Sequence, residues 1–174
     1  MKLKRIAVLL ICFSLSFQSC WLQNTEDDFP PQIQNYYEPV TMQRFEFAAT
    51  TILQTTPEVI VNSGKIYVKD NFIFINERNK GFHIIDNTDP TNPQNIAFLN
   101  VLGSSDLTIK GNSVYVNNAT DLLALTLDAQ AGTMEITKRV PNAFPQLISP
   151  FGNIYYATNE DEIVVDWVFN ENSN

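Results

Sequence analysis

Between residues 59 and 169 the hydrophobic pattern has a short period. Runs rich in Ile, Val, Phe and Tyr occupy 59–61, 65–69, 72–76 and 81–86, and the chain between them reads Asn62-Ser63-Gly64, Asp70-Asn71 and Asn79-Lys80-Gly81. Short apolar runs punctuated by such turn-forming residues predict β-strands joined as hairpins. A second set follows at 107–110, 113–117, 121–127 and 134–140, with Lys110-Gly111-Asn112 and Asn117-Asn118 at turns. A third is partial, with runs at 152–158 and 162–169.

These sets superpose. A shift of about 40 residues brings 74–76 onto 114–116 within one position, 81–86 onto 121–126 and Ile96 onto Ile136. The same shift again brings 154–156 onto 114–116 and 163–165 onto 123–125. Four short strands in about 40 residues is the period of a propeller blade. The fold class read from this pattern is all-β, with antiparallel meander sheets in a propeller-like blade repeat. Propellers close with four or more blades, and residues 57–169 hold fewer than three periods. One chain therefore has too few blades for a closed ring, and a second copy is a candidate source of more.

Upstream the pattern changes twice. Met42, Phe45, Ala49, Ile52 and Leu53 recur at three- and four-residue spacing, so 41–56 is read as a short helix or loop. Residues 20–40 carry Glu26-Asp27-Asp28 and Pro30-Pro31 without any apolar period and are read as a flexible acidic tether. Residues 1–19 combine Lys2, Lys4 and Arg5 with an apolar run from 6 to 17, the pattern of an export signal. That run is shorter than the roughly 20 residues a membrane-spanning helix needs.

Composition narrows the chemistry. The formal net charge is -8, and loss of the basic N-terminus would leave the chain more acidic still, so no basic surface is expected for nucleic acid. Both cysteines, Cys12 and Cys20, lie in the first twenty residues, and His83 is the single histidine. Thiol chemistry, most catalytic triads and His- or Cys-based metal sites thus lack their parts downstream of Cys20. No cofactor and no metal are expected.

Residues 17–20, Phe-Gln-Ser-Cys, resemble the lipobox of bacterial lipoproteins, in which the cysteine is acylated and becomes the mature N-terminus. The resemblance implies lipidation at Cys20 and anchoring in the membrane, because each buried methylene contributes about 0.8 kcal/mol. Phe17 and Gln18 depart from the usual Leu and small residue. Glu26-Asp27-Asp28 is similar to the acidic export tag of surface-displayed lipoproteins of the Bacteroidota. Finally, Phe74-Ile75-Asn76, Gly81-Phe82-His83-Ile84-Ile85-Asp86 and Thr88-Asp89-Pro90-Thr91-Asn92-Pro93 resemble one blade of the LVIVD repeat. That family implies β-propeller-like envelope proteins without an assigned enzymatic role. In the second copy Thr126 stands where Asp86 does and Gln130 replaces the first proline, and the third copy lacks the turn.

Within the motif, Asp86 and Asp89 are read as Asx-turn residues, since Asp accepts amide protons of the turn that follows it. A calcium loop through Asp86, Asn87 and Asp89 lacks EF-hand spacing. His83, alternating with Phe82 and Ile84, is read as an exposed or half-buried strand residue. Asn118-Ala119-Thr120 fits the glycosylation pattern but is read as a turn. Trp167, Tyr155 and Tyr156 are candidates for an aromatic binding surface, with packing as the commoner use. The expected function is a lipid-anchored, non-enzymatic binding or interaction module at the outer membrane or cell surface, with an unknown protein or glycan as partner. The alternatives are a structural envelope component or truncated propeller remnant, and a glycosidase using two of Asp86, Asp106, Asp121 and Asp161, which would have to lie roughly 5 to 9 Å apart.

Overall fold

The computed structural model describes residues 36–157, 159 and 161–170. Cys20, the export signal and residues 20–35 of the tether lie outside the described residues. Strands run antiparallel throughout: β1 (Tyr37–Gln43), β2 (Ile52–Gln54), β3 (Ser63–Lys69), β4 (Phe72–Glu77), β5 (Gly81–Asp86), β6 (Gln94–Asn100), β7 (Leu107–Lys110), β8 (Ser113–Asn118), β9 (Asp121–Asp128), β10 (Thr133–Val140) and β11 (Glu162–Phe169). The helix α1 (Arg44–Ala49) is a single short element after β1. The strands form three sheets, ordered β2-β6-β5-β4-β3, β10-β9-β8-β7 and β1-β11, and no sheet closes into a barrel. The protein is all-β, built of meander sheets.

The repeat is carried by register as well as by sequence. In the first sheet the β4–β5 hairpin pairs Phe72 with Asp86 through Glu77 with Gly81, and in the second the β8–β9 hairpin pairs Ser113 with Thr126 through Asn118 with Asp121. Thr126 therefore occupies the position of Asp86. The residue turning between the first two strands of each complete set has a left-handed backbone, Asp70 at φ 52 and Gly111 at φ 59, and Gly152, at the corresponding place in the third set, has φ 83. That conformation suits Gly and is tolerated by Asp and Asn, which explains the residues found there.

The main core lies between the first two sheets. Phe74, Phe82, Ile84, Ala97 and Leu99 from the first meet Leu107, Val114, Val116, Leu123 and Leu125 from the second. A smaller cluster of Phe47, Ala119, Ile163 and Val165, with Val40, Met42, Leu102 and Leu147 against it, ties β1, α1 and β11 to the second sheet. Gly81 is required where β5 crosses β6, because a Cβ there would stand 2.1 Å from the Leu99 carbonyl oxygen.

Several boundaries differ from the pattern-based reading. Residues 37–40, assigned to the tether, belong to β1, and the helix is confined to Arg44–Ala49. Pairing with β11 accounts for this, since the mixed apolar spacing of 41–53 is too weak to hold a longer helix against a strand partner that runs from Tyr37 to Gln43. Residues 59–61 and 152–157 form no strand. On the approach to the latter, Pro141, Pro145 and Pro150 each lack the amide proton of a ladder donor. Of the third meander the run at 162–169 forms β11, and ahead of it stand a turn at 149–153, closed by Ser149 and Asn153, and a bond from Gln146 Nε2 to the Tyr155 carbonyl at 2.8 Å.

Candidate functional site

A groove of about 660 Å³ opens between the second sheet and residues 144–148. Tyr115 and Leu122 form its floor, Phe144, Pro145, Leu147 and Ile148 one wall, and Asp106 and Asn117 part of its polar rim. Its origin follows from the repeat. By hairpin register Tyr115 and Leu122 are the equivalents of Phe74 and Phe82. In the first sheet those positions are buried in the shared core, whereas here the proline-interrupted segment covers them incompletely. The groove is thus a stacking face left partly open. Asn117 fixes one rim: its side-chain oxygen accepts from the amides of Ser105 and Asp106 at 2.9 and 3.0 Å, and its Nδ2 donates to the Gly103 carbonyl at 3.0 Å. Asp106 is engaged by Lys65 and Tyr67 of β3.

The four carboxylates considered for glycoside chemistry are separated into different settings. Asp121 is fully buried at the start of β9, where Arg44 reaches both its oxygens at 3.0 and 3.2 Å and Arg139 donates to Oδ2 at 2.9 Å. The Asn142 amide adds a bond of 3.1 Å. Burial pushes this carboxyl up, but the bonds from Arg139, Asn142 and Arg44 and the Arg44 charge outweigh it and hold it below its ordinary value. Asp86 lies beside the β9–β10 turn, where Gln130 donates to it at 3.0 Å. Since β9 separates that turn from Asp121 by most of its length, the two carboxylates are roughly 20 Å apart at about 3.3 Å per residue. Asp161 caps the approach to β11 and gives its backbone carbonyl to the Arg44 amide at 2.7 Å. Of the four, only Asp106 lines the groove.

The motif aspartates form the turns read from the sequence. Asp86 Oδ1 accepts from the amide and hydroxyl of Thr88 at 2.9 and 2.6 Å, and Asp89 Oδ1 from those of Thr91 at 2.9 and 2.7 Å. The Thr88 hydroxyl and amide, with Gln130, keep the Asp86 carboxyl below its ordinary value. Among the described residues no group of three or more His, Cys, Asp or Glu is placed to hold a metal ion.

His83 departs from the reading of it as exposed or half-buried: it is fully buried. Both faces of β5 are covered, one by the shared core and the other by the loop before β3. Glu77 holds that loop by accepting from the amides of Val61 and Asn62 at 2.9 and 2.5 Å, and its Oε2 lies 3.1 Å from His83 Nε2. Burial pushes the Glu77 carboxyl up, and the Val61 amide, His83 and the Asn62 amide together bring it below its ordinary value. Asn118 is likewise fully buried, accepting from Thr51 and Arg139, so it is the turn residue and not a glycan acceptor.

The aromatic residues divide. Trp167 is half-buried with its indole N–H on the Leu147 carbonyl, and the Tyr155 hydroxyl faces Glu162, while Tyr156 is exposed. The cluster the sequence pattern missed joins Tyr36 and Tyr37 to Phe151 and Phe169, with ring centroids 5.5 to 6.1 Å apart. Its members come from opposite ends of the chain, and only the β1–β11 pairing brings them together. Comparison with family models, with curated proteins and with solved structures yields no match.

Proposed function

We propose that the protein is a lipid-anchored, non-enzymatic binding module of the cell envelope, of propeller-like descent, whose groove takes up an apolar segment of a partner protein. The observation that carries this reading is the groove itself: the stacking face of a four-stranded sheet, apolar on floor and wall, with a polar rim built from Asn117 and Asp106. An extended apolar segment would replace there the strands that residues 144–157 do not form. The dispersal of Asp86, Asp106, Asp121 and Asp161 argues against a carboxylate pair. Membrane attachment rests on Cys20 and the export pattern before it.

The groove is tested by placing a photo-cross-linking amino acid at Tyr115 or Leu122 in cells. Protein adducts are expected at both positions, and those from the probe at position 115 should be lost in a Leu122→Glu background. Adducts that form equally in that background, or a glycan ligand bound without effect of Leu122→Glu, would refute the groove as the site. The anchor is tested separately. Cys20→Ser should move the protein out of the membrane fraction, and a native mass showing unmodified Cys20 overturns lipidation.

A further inference from the structure

A second cavity, of about 400 Å³, adjoins the groove and differs from it in chemistry. Its side chains are Ser63 and Lys65 of β3, Arg78 and Asn79 of the β4–β5 turn, and Ser104 and Ser105 of the link from β6 to β7. All six are polar, and Ser105 is the one residue shared with the groove.

Main-chain bonds fix the shape of this cavity. The Arg78 amide donates to the Asn62 carbonyl at 3.1 Å, the Asn79 amide to the Ser104 carbonyl at 3.1 Å and the Gly103 amide to the Asn79 carbonyl at 2.7 Å. Asn76 Nδ2 donates to the Ser104 carbonyl at 3.4 Å, and Asn117 holds the Ser105 amide at 2.9 Å. A frame built in this way spares a ligand the cost of ordering its own site.

Two groups in the frame are uncommitted. Ser104 is fully buried, yet its hydroxyl has no hydrogen-bond partner among the described residues. Buried hydroxyls are ordinarily paired, because burial without a partner is costly. Arg78 is exposed and makes no ion pair among the described residues, whereas Arg44 and Arg139 are both committed to Asp121. The carboxylates that touch the lining are already engaged, Asp106 by Lys65 and Tyr67 and Asp166 by Asn79 Nδ2 at 2.7 Å. An unpaired guanidinium sharing a cavity with hydroxyl donors suits an oxyanion, because its fork matches the oxygens of a carboxylate, sulfate or phosphate. The volume exceeds that of one inorganic anion and falls in the range of small-molecule sites. Serine hydroxyls and the Asn79 amide in place of apolar walls call for a ligand that is itself rich in hydroxyls.

We infer that this cavity binds a small polyhydroxylated ligand carrying one oxyanion, an acidic sugar, with Arg78 on the acid group and the Ser104 hydroxyl on a further oxygen. The site goes beyond the groove reading and uses neither Tyr115 nor Leu122, so either can fail without the other.

The test is isothermal titration calorimetry of the full-length protein in detergent with glucuronate, a glucose sulfate and a glucose phosphate, beside glucose and inorganic phosphate. At least one acidic sugar should bind, and more tightly than glucose or inorganic phosphate. Arg78→Ala should weaken that binding about tenfold or more, and Ser104→Ala roughly threefold or more, as expected for a charged and a neutral hydrogen bond. Neither side chain makes a hydrogen bond within the described chain, so both variants should keep the wild-type circular dichroism. Lys138→Ala, at an exposed position on β10, should leave the affinity unchanged. Failure of every acidic sugar to bind, inorganic phosphate or glucose binding as tightly, or equal weakening by Lys138→Ala each overturns the inference. So does an Arg78→Ala or Ser104→Ala variant that stays within about twofold of wild type. Arg78→Ala, at the surface, keeps the inference falsifiable if Ser104→Ala does not fold.

Discussion

Replacing Asp121 by Asn removes one oxygen and one charge from the junction between the second sheet and the β1–β11 pair. The native carboxylate accepts from Arg44, from Arg139, from the Asn142 amide and from the Thr120 hydroxyl at 3.2 Å. Asn keeps one acceptor oxygen but aims an amide N–H₂ at a guanidinium N–H, so at least one arginine loses its partner and both lose the counter-charge. Breaking a buried pair from one side costs about 3–5 kcal/mol. The arginine side chains are 27% and 21% exposed and recover some hydration, which places the cost at the lower end, about 3 kcal/mol. For a domain of this size that corresponds to a Tm roughly 10 °C lower. Trp167 on β11 supplies the assay: urea unfolding followed by its fluorescence in a Trp21→Phe background, beside far-ultraviolet circular dichroism. The Trp167 transition should move to lower urea, and a double-mutant cycle with Arg44→Met should show coupling of about 1–2 kcal/mol. A loss under about 0.5 kcal/mol, or strict additivity with Arg44→Met, would show that Asp121 is not the junction described.

Three further outcomes follow from the same geometry. Gly81→Ala forces a Cβ against the Leu99 backbone carbonyl, which cannot yield as a side chain would, so a loss of about 3 kcal/mol or more is expected in denaturant unfolding, and a change below about 1 kcal/mol would contradict that packing. Asp121 and Glu77 have folded-state pKa values below their ordinary ones, so the unfolded chain binds protons more readily; the stability they contribute is present above about pH 4–5 and is lost as the pH falls through their folded values. Urea midpoints should fall from pH 6 to pH 3, less steeply in Asp121→Asn, and an equal slope in that variant would contradict the assignment. Glu77→Gln leaves one acceptor for three donors, so the Val61 and Asn62 amides should exchange hydrogen faster, at a cost of about 1–2 kcal/mol, while unchanged protection would show that the loop is held by other contacts.

How much of this was legible depends on the range of the interaction. Turns were readable because Asp86 and Asp89 act on residues two positions ahead, and a local side-chain bond leaves its spacing in the sequence. Strand identity was readable where Ile, Val, Phe and Tyr run between turn residues. It failed at 152–157, where the apolar residues are of strand type but Pro145 and Pro150 deprive the approach of ladder donors. It failed at 37–43, where the partner strand is more than a hundred residues away and the local signal is weak. His83 was misjudged because alternation predicts which side a residue faces, and only the Glu77-anchored loop decides that this side is covered.

The sequence by itself determined the repeat, its phase and the turn chemistry, since these depend on alternation, φ and bonds within a few residues. It also located both cysteines in the N-terminal twenty residues and withheld any second histidine. Tertiary structure decided which faces are spent in stacking and which stay open. The first sheet's Phe74 and Phe82 and the second sheet's Tyr115 and Leu122 occupy equivalent positions, yet one pair is core and the other lines a groove. Ile66 and Leu107 are equivalent too, and one is exposed where the other is buried. Each apolar residue can only announce that it has a face to cover. What covers it depends on the next layer of the stack, whose position is set by pairings between residues far apart in the chain.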